Sequence, residues 1–215
     1  MRLYDYDASG NCLKVRLLLG LLGREYERVP VDIFAGDTLT EEYGRLNPLR
    51  ETPVLETGGG AVITQSAAIL WYLGEGTPYL PPDPVDRARV VQWLVFEQER
   101  IMATLAGVRF RVITGRAAAD ARGIVARREA GRAALDVLEA HLATTPFVVA
   151  GAPSIADLAL YAYISVAGEA GVELDDRAAV GAWLERLRAL PGFEDDLVPY
   201  PANAQAGASR SIYDA

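Results

Sequence analysis

The spacing of apolar positions changes near residue 80. Before it, short runs alternate between two periods. Residues 2–6 read as a short strand. Leu13, Leu17, Leu18, Leu21 and Leu22 recur at helical spacing, and Gly23 stops the helix predicted over 13–22. Residues 26–33 read as a second strand. Pro30, which has no N–H to offer a ladder, places that strand at a sheet edge. Residues 40–46 form a short helix that ends before Asn47-Pro48. Strands over 53–57 and 61–64 flank Gly58-Gly59-Gly60, a hairpin signal, and 66–73 is a third helix. The order is β-α-β-α-β-β-α. A parallel βαβ start followed by a hairpin predicts a mixed sheet with helices on both faces.

Pro78, Pro81, Pro82 and Pro84 then mark a semi-rigid linker. After it the strand signals vanish, and 85–112, 117–142, 154–170 and 178–190 carry helical periodicity. The chain is therefore divided into an α/β domain over 1–78, a linker over 79–84, an all-α domain over 85–200 and an irregular tail over 201–215. The chain length of 215 residues suits two small domains.

Charge and composition narrow the partners. Apolar residues make up 51% and charged residues 23%, the balance of a packed globule. A net charge of −8 argues against nucleic acid and anionic membranes, which attract basic patches. No apolar run approaches the ~20 residues of a membrane span. The sequence turns polar directly after Met1, so no signal peptide is expected. The single cysteine, Cys12, forbids an internal disulfide and fits a reducing cytoplasm. The single histidine, His141, leaves no basis for a His-rich metal site, and no metal is expected.

Several short polar stretches sit where helices begin. Ser154-Ile155-Ala156-Asp157 reads as a capping box, with a role in folding. Ser66 is a good N-cap for the third helix, and Ser9 precedes the first. Arg109, Phe110, Arg111 and Arg116 either border a pocket or form a solvated basic face. Trp71, Trp93 and Trp183 are read as core.

Taken together, four segments carry a family resemblance. Leu3-Tyr4 with Ser9-Gly10-Asn11-Cys12-Leu13-Lys14-Val15-Arg16 resembles the opening of bacterial theta-like glutathione transferases. Residues 47–55, Asn-Pro-Leu-Arg-Glu-Thr-Pro-Val-Leu, resemble the family's N-P-x-G-x-V-P-x-L segment. Residues 65–73, from Gln65-Ser66 to Tyr72-Leu73, resemble its E/Q-S-x-A-I-x-x-Y-L helix, and residues 154–157 its S/T-x-x-D helix start. The resemblance implies a thioredoxin-like glutathione-binding domain followed by a helical domain that shapes a second-substrate pocket. It also implies a homodimer.

The resemblance further implies roles for individual residues. Thr52-Pro53 is expected to be cis, with the backbone of Val54 pairing with the cysteinyl part of glutathione as an added strand. Gln65 and Ser66, at a helix N-terminus, are expected to hold the γ-glutamyl end. Glu51 stands where the family usually carries Gln or Lys, and Arg50 is expected to offset its charge. Arg109, Phe110 and Arg111 are expected at the second-substrate pocket.

The chemistry needs a thiolate. Lowering a thiol pKa by about two units takes ~2.7 kcal/mol. A hydroxyl hydrogen bond to the sulfur supplies ~1.5–3 kcal/mol and the helix dipole ~0.3–1 kcal/mol. Ser9 is the first candidate donor, with Asn11 in support. Cys12 overlays the second cysteine of a C-x-x-C motif but lacks its partner, and is read as structural. Three classes of function stay open: conjugation of glutathione to small electrophiles; glutathione-dependent reduction, isomerisation or dehalogenation; and non-catalytic binding.

Overall fold

A computed structural model describes residues 1–214. The first unit follows the order read from the sequence: β1 (Arg2–Asp5), α1 (Gly10–Leu21), β2 (Glu27–Pro30), α2 (Glu41–Leu46), β3 (Val54–Glu56), β4 (Val62–Thr64) and α3 (Ser66–Gly74). The sheet order is β2-β1-β3-β4, with β1 parallel to β2 and antiparallel to β3, and β3 antiparallel to β4. Pro30 lies on the edge strand, as its missing N–H requires.

The pleat sorts side chains onto two faces. Leu3 and Leu55, opposite each other on β1 and β3, join the core shared with α1 and α3. Their neighbours Tyr4 and Val54 turn the other way and pack with Tyr43 of α2. Helices thus cover both faces.

The second unit contains α4 (Pro84–Phe96), a π-helical segment (Glu97–Ala106), α5 (Gly107–Ile113), α6 (Arg122–Leu142), α7 (Ile155–Ile164) and α8 (Ala178–Arg188). The expected linker is shorter than 79–84. Pro84 already occupies the first helical turn, and the Asp83 carboxylate accepts from the amides of Val85 (2.9 Å) and Asp86 (3.0 Å). The helix expected over 85–112 is unbroken along the chain from Pro84 to Ile113 but widens to π-geometry in its middle. Among the described residues no helix is long and apolar enough to cross a membrane.

Helix α7 is the spine of the second unit, with all ten residues buried. It packs on α1 and so joins the two units. Gly10 at the start of α1 makes room for Tyr163 of α7, whose ring lies 2.6 Å from where a Cβ would stand. The capping box at 154–157 is present, and its carboxylate does more than cap. Asp157 accepts from Ser154 N (2.9 Å), Ser154 Oγ (2.9 Å), Val148 N (3.0 Å) and Trp183 Nε1 (2.9 Å). One buried side chain therefore ties α7 to α8 and to the loop before it.

The tail crosses both units. Arg210 N donates to Phe34 O (2.8 Å) and Ala206 N to Thr114 O (2.8 Å), while Asn203 Nδ2 reaches Asp32 Oδ2 (2.8 Å). Arg116 clamps it by donating to Ala204 O (2.6 Å), Ser209 Oγ (2.7 Å) and Asp214 Oδ1 (2.6 Å).

Replacing Asp157 by Ala leaves three or more buried donors unpartnered, each worth ~1–3 kcal/mol. The expected loss is about 3 kcal/mol or more, against ~0.5–2 kcal/mol for Ser154→Ala. Urea denaturation measures both. Turnover per folded molecule is expected to persist in each.

Candidate active site

The N-terminus of α1 opens onto a cavity of about 340 Å³ at the junction of the two units. Ser9 is the N-cap of α1, and its Oγ accepts from Cys12 N at 3.3 Å. Ser9 lines the cavity, and a hydroxyl can donate as well as accept. Asn11, in the first turn, lines the same cavity. Its Oδ1 accepts from Lys14 Nζ (2.9 Å) and, at 3.5 Å, from Ser66 Oγ. With the oxygen engaged, Nδ2 is the donor that remains.

Cys12 is fully buried behind them, and Tyr6 N donates to its Sγ at 3.4 Å. Burial pushes its thiol up to about 12. A thiol so protonated is a poor nucleophile at neutral pH.

The Thr52-Pro53 peptide bond is cis. The loop before it is fixed through one carbonyl: Tyr43 Oη (2.9 Å) and Asn47 Nδ2 (2.8 Å) both donate to Glu51 O. Thr52 and Pro53 line the cavity. Val54 does not. It is fully buried in the inner strand β3, flanked by Tyr4 of β1 and Thr64 of β4, so no open edge remains for an added strand. The residue ahead of the cis bond, Thr52, is half-buried and lines the cavity instead.

The other expectations divide. Arg50 adopts a φ of +57° and donates to Thr38 O (2.6 Å) and Thr40 O (2.8 Å), so it folds onto α2 and does not offset Glu51. Glu51 instead accepts from Gln65 Nε2 through its carboxylate at 3.2 Å. Ser66 is the first residue of α3, not its cap. Gln65 holds the cap position with a φ of +70° and no side-chain cap bond. A non-glycine residue in that region stores roughly 1–3 kcal/mol of strain, which concentrates at functional sites. Gln65 and Ser66 both line the cavity.

The opposite wall comes from the second unit. Gln98, Met102 and Ala106 of the π-segment, Phe110 and Arg111 of α5 and Tyr163 of α7 line it. Phe110 stacks on Phe34 with ring centroids 6.3 Å apart, and Tyr213 from the tail closes on Phe110 at 4.9 Å. Tyr200 and Tyr213 of the chain's last segment therefore form part of the cavity wall. Arg109 is not at the cavity. It is buried, pairs with Glu169 (2.6 Å), reaches Ala8 O (3.4 Å) and stacks over Tyr200 at 4.6 Å. Each residue along a helix rotates by about 100°, so Arg109 faces inward with Val108 where Phe110 and Arg111 face the cavity.

Sequence reasoning missed Tyr6, Ile33, Asn47, Gln98, Met102, Tyr163 and Tyr200 as lining residues. They come from six separate segments, and no local spacing links them. A positional signal existed only for Asn47, which lies in the segment leading to Thr52-Pro53. Burial raises the hydroxyls of Tyr6 and Tyr200 above the ordinary tyrosine range and pushes Tyr213 up to about 12, so all three remain donors at neutral pH.

The pattern described as "Glutathione S-transferase, N-terminal domain" matches residues 8–75, and that described as "Glutathione S-transferase, C-terminal domain" matches 116–202. The chain belongs to the glutathione S-transferase family. A maleylacetoacetate isomerase of Rhizobium meliloti is 39% identical over 170 residues, covering 74% of this chain and 77% of that protein. A glutathione S-transferase from Pseudomonas fluorescens superposes with a TM-score of 0.87 at 39% identity, covering 92% of this chain and 98% of the other. One from Xanthobacter autotrophicus gives 0.84 at 39%, covering 90% and 95%. Relatives thus carry both maleylacetoacetate isomerase and glutathione S-transferase names.

In this glutathione S-transferase family member, native Cys12 is expected to resist iodoacetamide at mildly alkaline pH and to form no mixed disulfide with glutathione. The urea-unfolded chain is expected to react. Intact-mass measurement distinguishes the two.

Proposed function

We propose that the cavity binds glutathione and that the chain adds the glutathione thiolate to a small electrophile. The observation that carries this reading is the convergence on one cavity of the α1 N-terminus with Ser9 and Asn11, the cis Thr52-Pro53 turn, and the strained Gln65-Ser66 start of α3. An extended peptide fits against Thr52, whose backbone precedes the cis bond and lies outside the sheet. The γ-glutamyl carboxylate fits the free amides and positive potential at the start of α3. Glu51, held beside Gln65, offers an ion pair to the ammonium of the same end, so its charge has a use in place of the expected repulsion.

The cysteinyl sulfur then lies near the start of α1. The Ser9 hydroxyl and the Asn11 amide donate to it, and the dipole of α1 adds to both. The electrophile occupies the aromatic side, between Phe110, Met102 and Tyr213, with Arg111 at its rim.

A second reading is favoured by the relative named maleylacetoacetate isomerase. In glutathione-dependent isomerisation the thiolate adds to an electron-poor double bond. Rotation follows about the resulting single bond, and expulsion of the thiolate restores the double bond and glutathione. Both reactions use the same activated sulfur. They part in the fate of glutathione, which is consumed in conjugation and regenerated in isomerisation. Mass spectrometry of products from an activated aryl halide and from a cis-enedione carboxylate separates them.

Ser9→Ala is expected to raise the pKa of bound glutathione by about one unit, a roughly tenfold loss of rate at mildly acidic pH. The loss shrinks as pH rises, because hydroxide then does the ionising. Wild-type rates for Ser9→Ala at mildly acidic pH would overturn the assignment.

We also propose that two chains associate. Val85, Val91 and Val95 of α4 and Tyr72 of α3 are exposed apolar groups of the kind an interface covers. Light scattering is expected to give twice the 23.2 kDa chain mass at micromolar concentration; a monomer would count against it.

A further inference from the structure

Lys14 lies on α1 one turn beyond Asn11 and is fully buried, an expensive place for an ammonium. Three groups meet it. Asn11 Oδ1 accepts at 2.9 Å, Glu97 Oε1 accepts at 2.8 Å, and the ring of Tyr163 lies 5.1 Å beneath Nζ. Glu97 is itself fully buried and opens the π-helical segment of the second unit. Its other oxygen accepts from Gln98 Nε2 at 2.7 Å. The chain of contacts therefore runs Asn11–Lys14–Glu97–Gln98. It begins and ends on residues that line the cavity, on opposite walls.

Resting on the reading that Asn11 faces the glutathione sulfur, we propose that Lys14 is a positioning residue for thiolate formation. It locks the Asn11 amide with Nδ2 toward the sulfur, and Glu97 of the second unit holds it there.

The two ends of an asparagine amide have nearly the same shape, and a flip would aim the carbonyl oxygen at the thiolate and repel it. An ammonium has three donors and no acceptor, so it can bind only the oxygen end. Lys14 thus removes the flipped state. Its charge also polarises the amide, which strengthens Nδ2 as a donor in a low-dielectric site. Stability alone gives little reason for the pair. Buried ion pairs are commonly matched or bettered by apolar residues of similar volume, whereas an amide orientation cannot be supplied that way.

The test uses the full-length chain. Lys14→Met alone would leave Glu97 buried and unpaired, so the informative variant is Lys14→Met with Glu97→Gln, checked for folding by thermal unfolding. Binding of S-methylglutathione, which has no thiol to ionise, is expected to stay unchanged. The pKa of bound glutathione, read from thiolate absorbance in the ultraviolet, is expected to rise by about one unit, with a roughly tenfold loss of rate at mildly acidic pH that fades as pH rises. Asn11→Ala is expected to cost much less in the double variant than in the wild type, because an unlocked amide has less to lose. Lys14→Arg, which keeps a donor-only cation, is expected to retain most of the shift.

A folded double variant with the wild-type thiol pKa would overturn the role of Lys14 and leave the glutathione reading intact. So would an Asn11→Ala penalty of the same size in both backgrounds. A wild-type protein whose bound glutathione ionises no more readily than free glutathione would overturn both.

Discussion

The burial of α1 between the sheet and α7 is the interaction on which the rest of the molecule depends. Nine of its twelve residues are buried. Leu13, Leu17 and Leu18 join a core that runs from Leu3 of β1 to Trp183 of α8. The two units therefore share one hydrophobic interior, and the helix whose N-terminus carries Ser9 and Asn11 is held from both sides. A site built on such an element is set more firmly than one built on a loop, because moving it would disturb packing in both units.

Charged groups inside the junction orient what the apolar core only positions. Arg16 on α1 donates to buried Asp5 (2.7 Å) and to Asp196 (2.6 Å), which fastens the chain after α8 back onto the first unit. Arg109 links α5 to Glu169 and to the carbonyl of Ala8, one residue ahead of Ser9. Lys14 and Glu97 join the start of the π-segment to α1. Apart from Arg16–Asp5, these contacts span 60 to 180 residues of sequence, and all carry directional hydrogen bonds that hydrophobic contact cannot supply.

The cavity inherits its chemistry from this arrangement. Its polar wall comes from the ends of secondary structure in the first unit, where unpaired amides and hydroxyls collect. Its apolar wall comes from the π-segment and α5, finished by a tail that Arg116 pins in place. The widened turn of the π-segment is one of the irregularities that recur at functional sites. A polar peptide and an apolar electrophile can therefore share one space, each against the surface that suits it.

The sequence by itself determined the order of elements and the change from α/β to all-α. Those follow from periods of two and 3.6 residues, from Pro30 at an edge, and from capping residues at helix starts, all of which act over a few neighbours. Through the family resemblance of its short segments it also pointed to Ser9, Asn11, Thr52, Pro53, Gln65 and Ser66, all of which line one cavity. Only the tertiary structure decided which of the remaining residues meet. Val54 was displaced by Thr52 because strand pairing on both flanks is a property of the whole sheet. Arg109 turned inward because its partners, Glu169 and Ala8, lie 60 and 101 residues away in the chain. Glu97 reached Lys14 across 83 residues for the same reason. Hydrogen bonds and charge pairs are short-ranged in space but indifferent to sequence separation, so local pattern reads the elements, and packing alone selects their contacts.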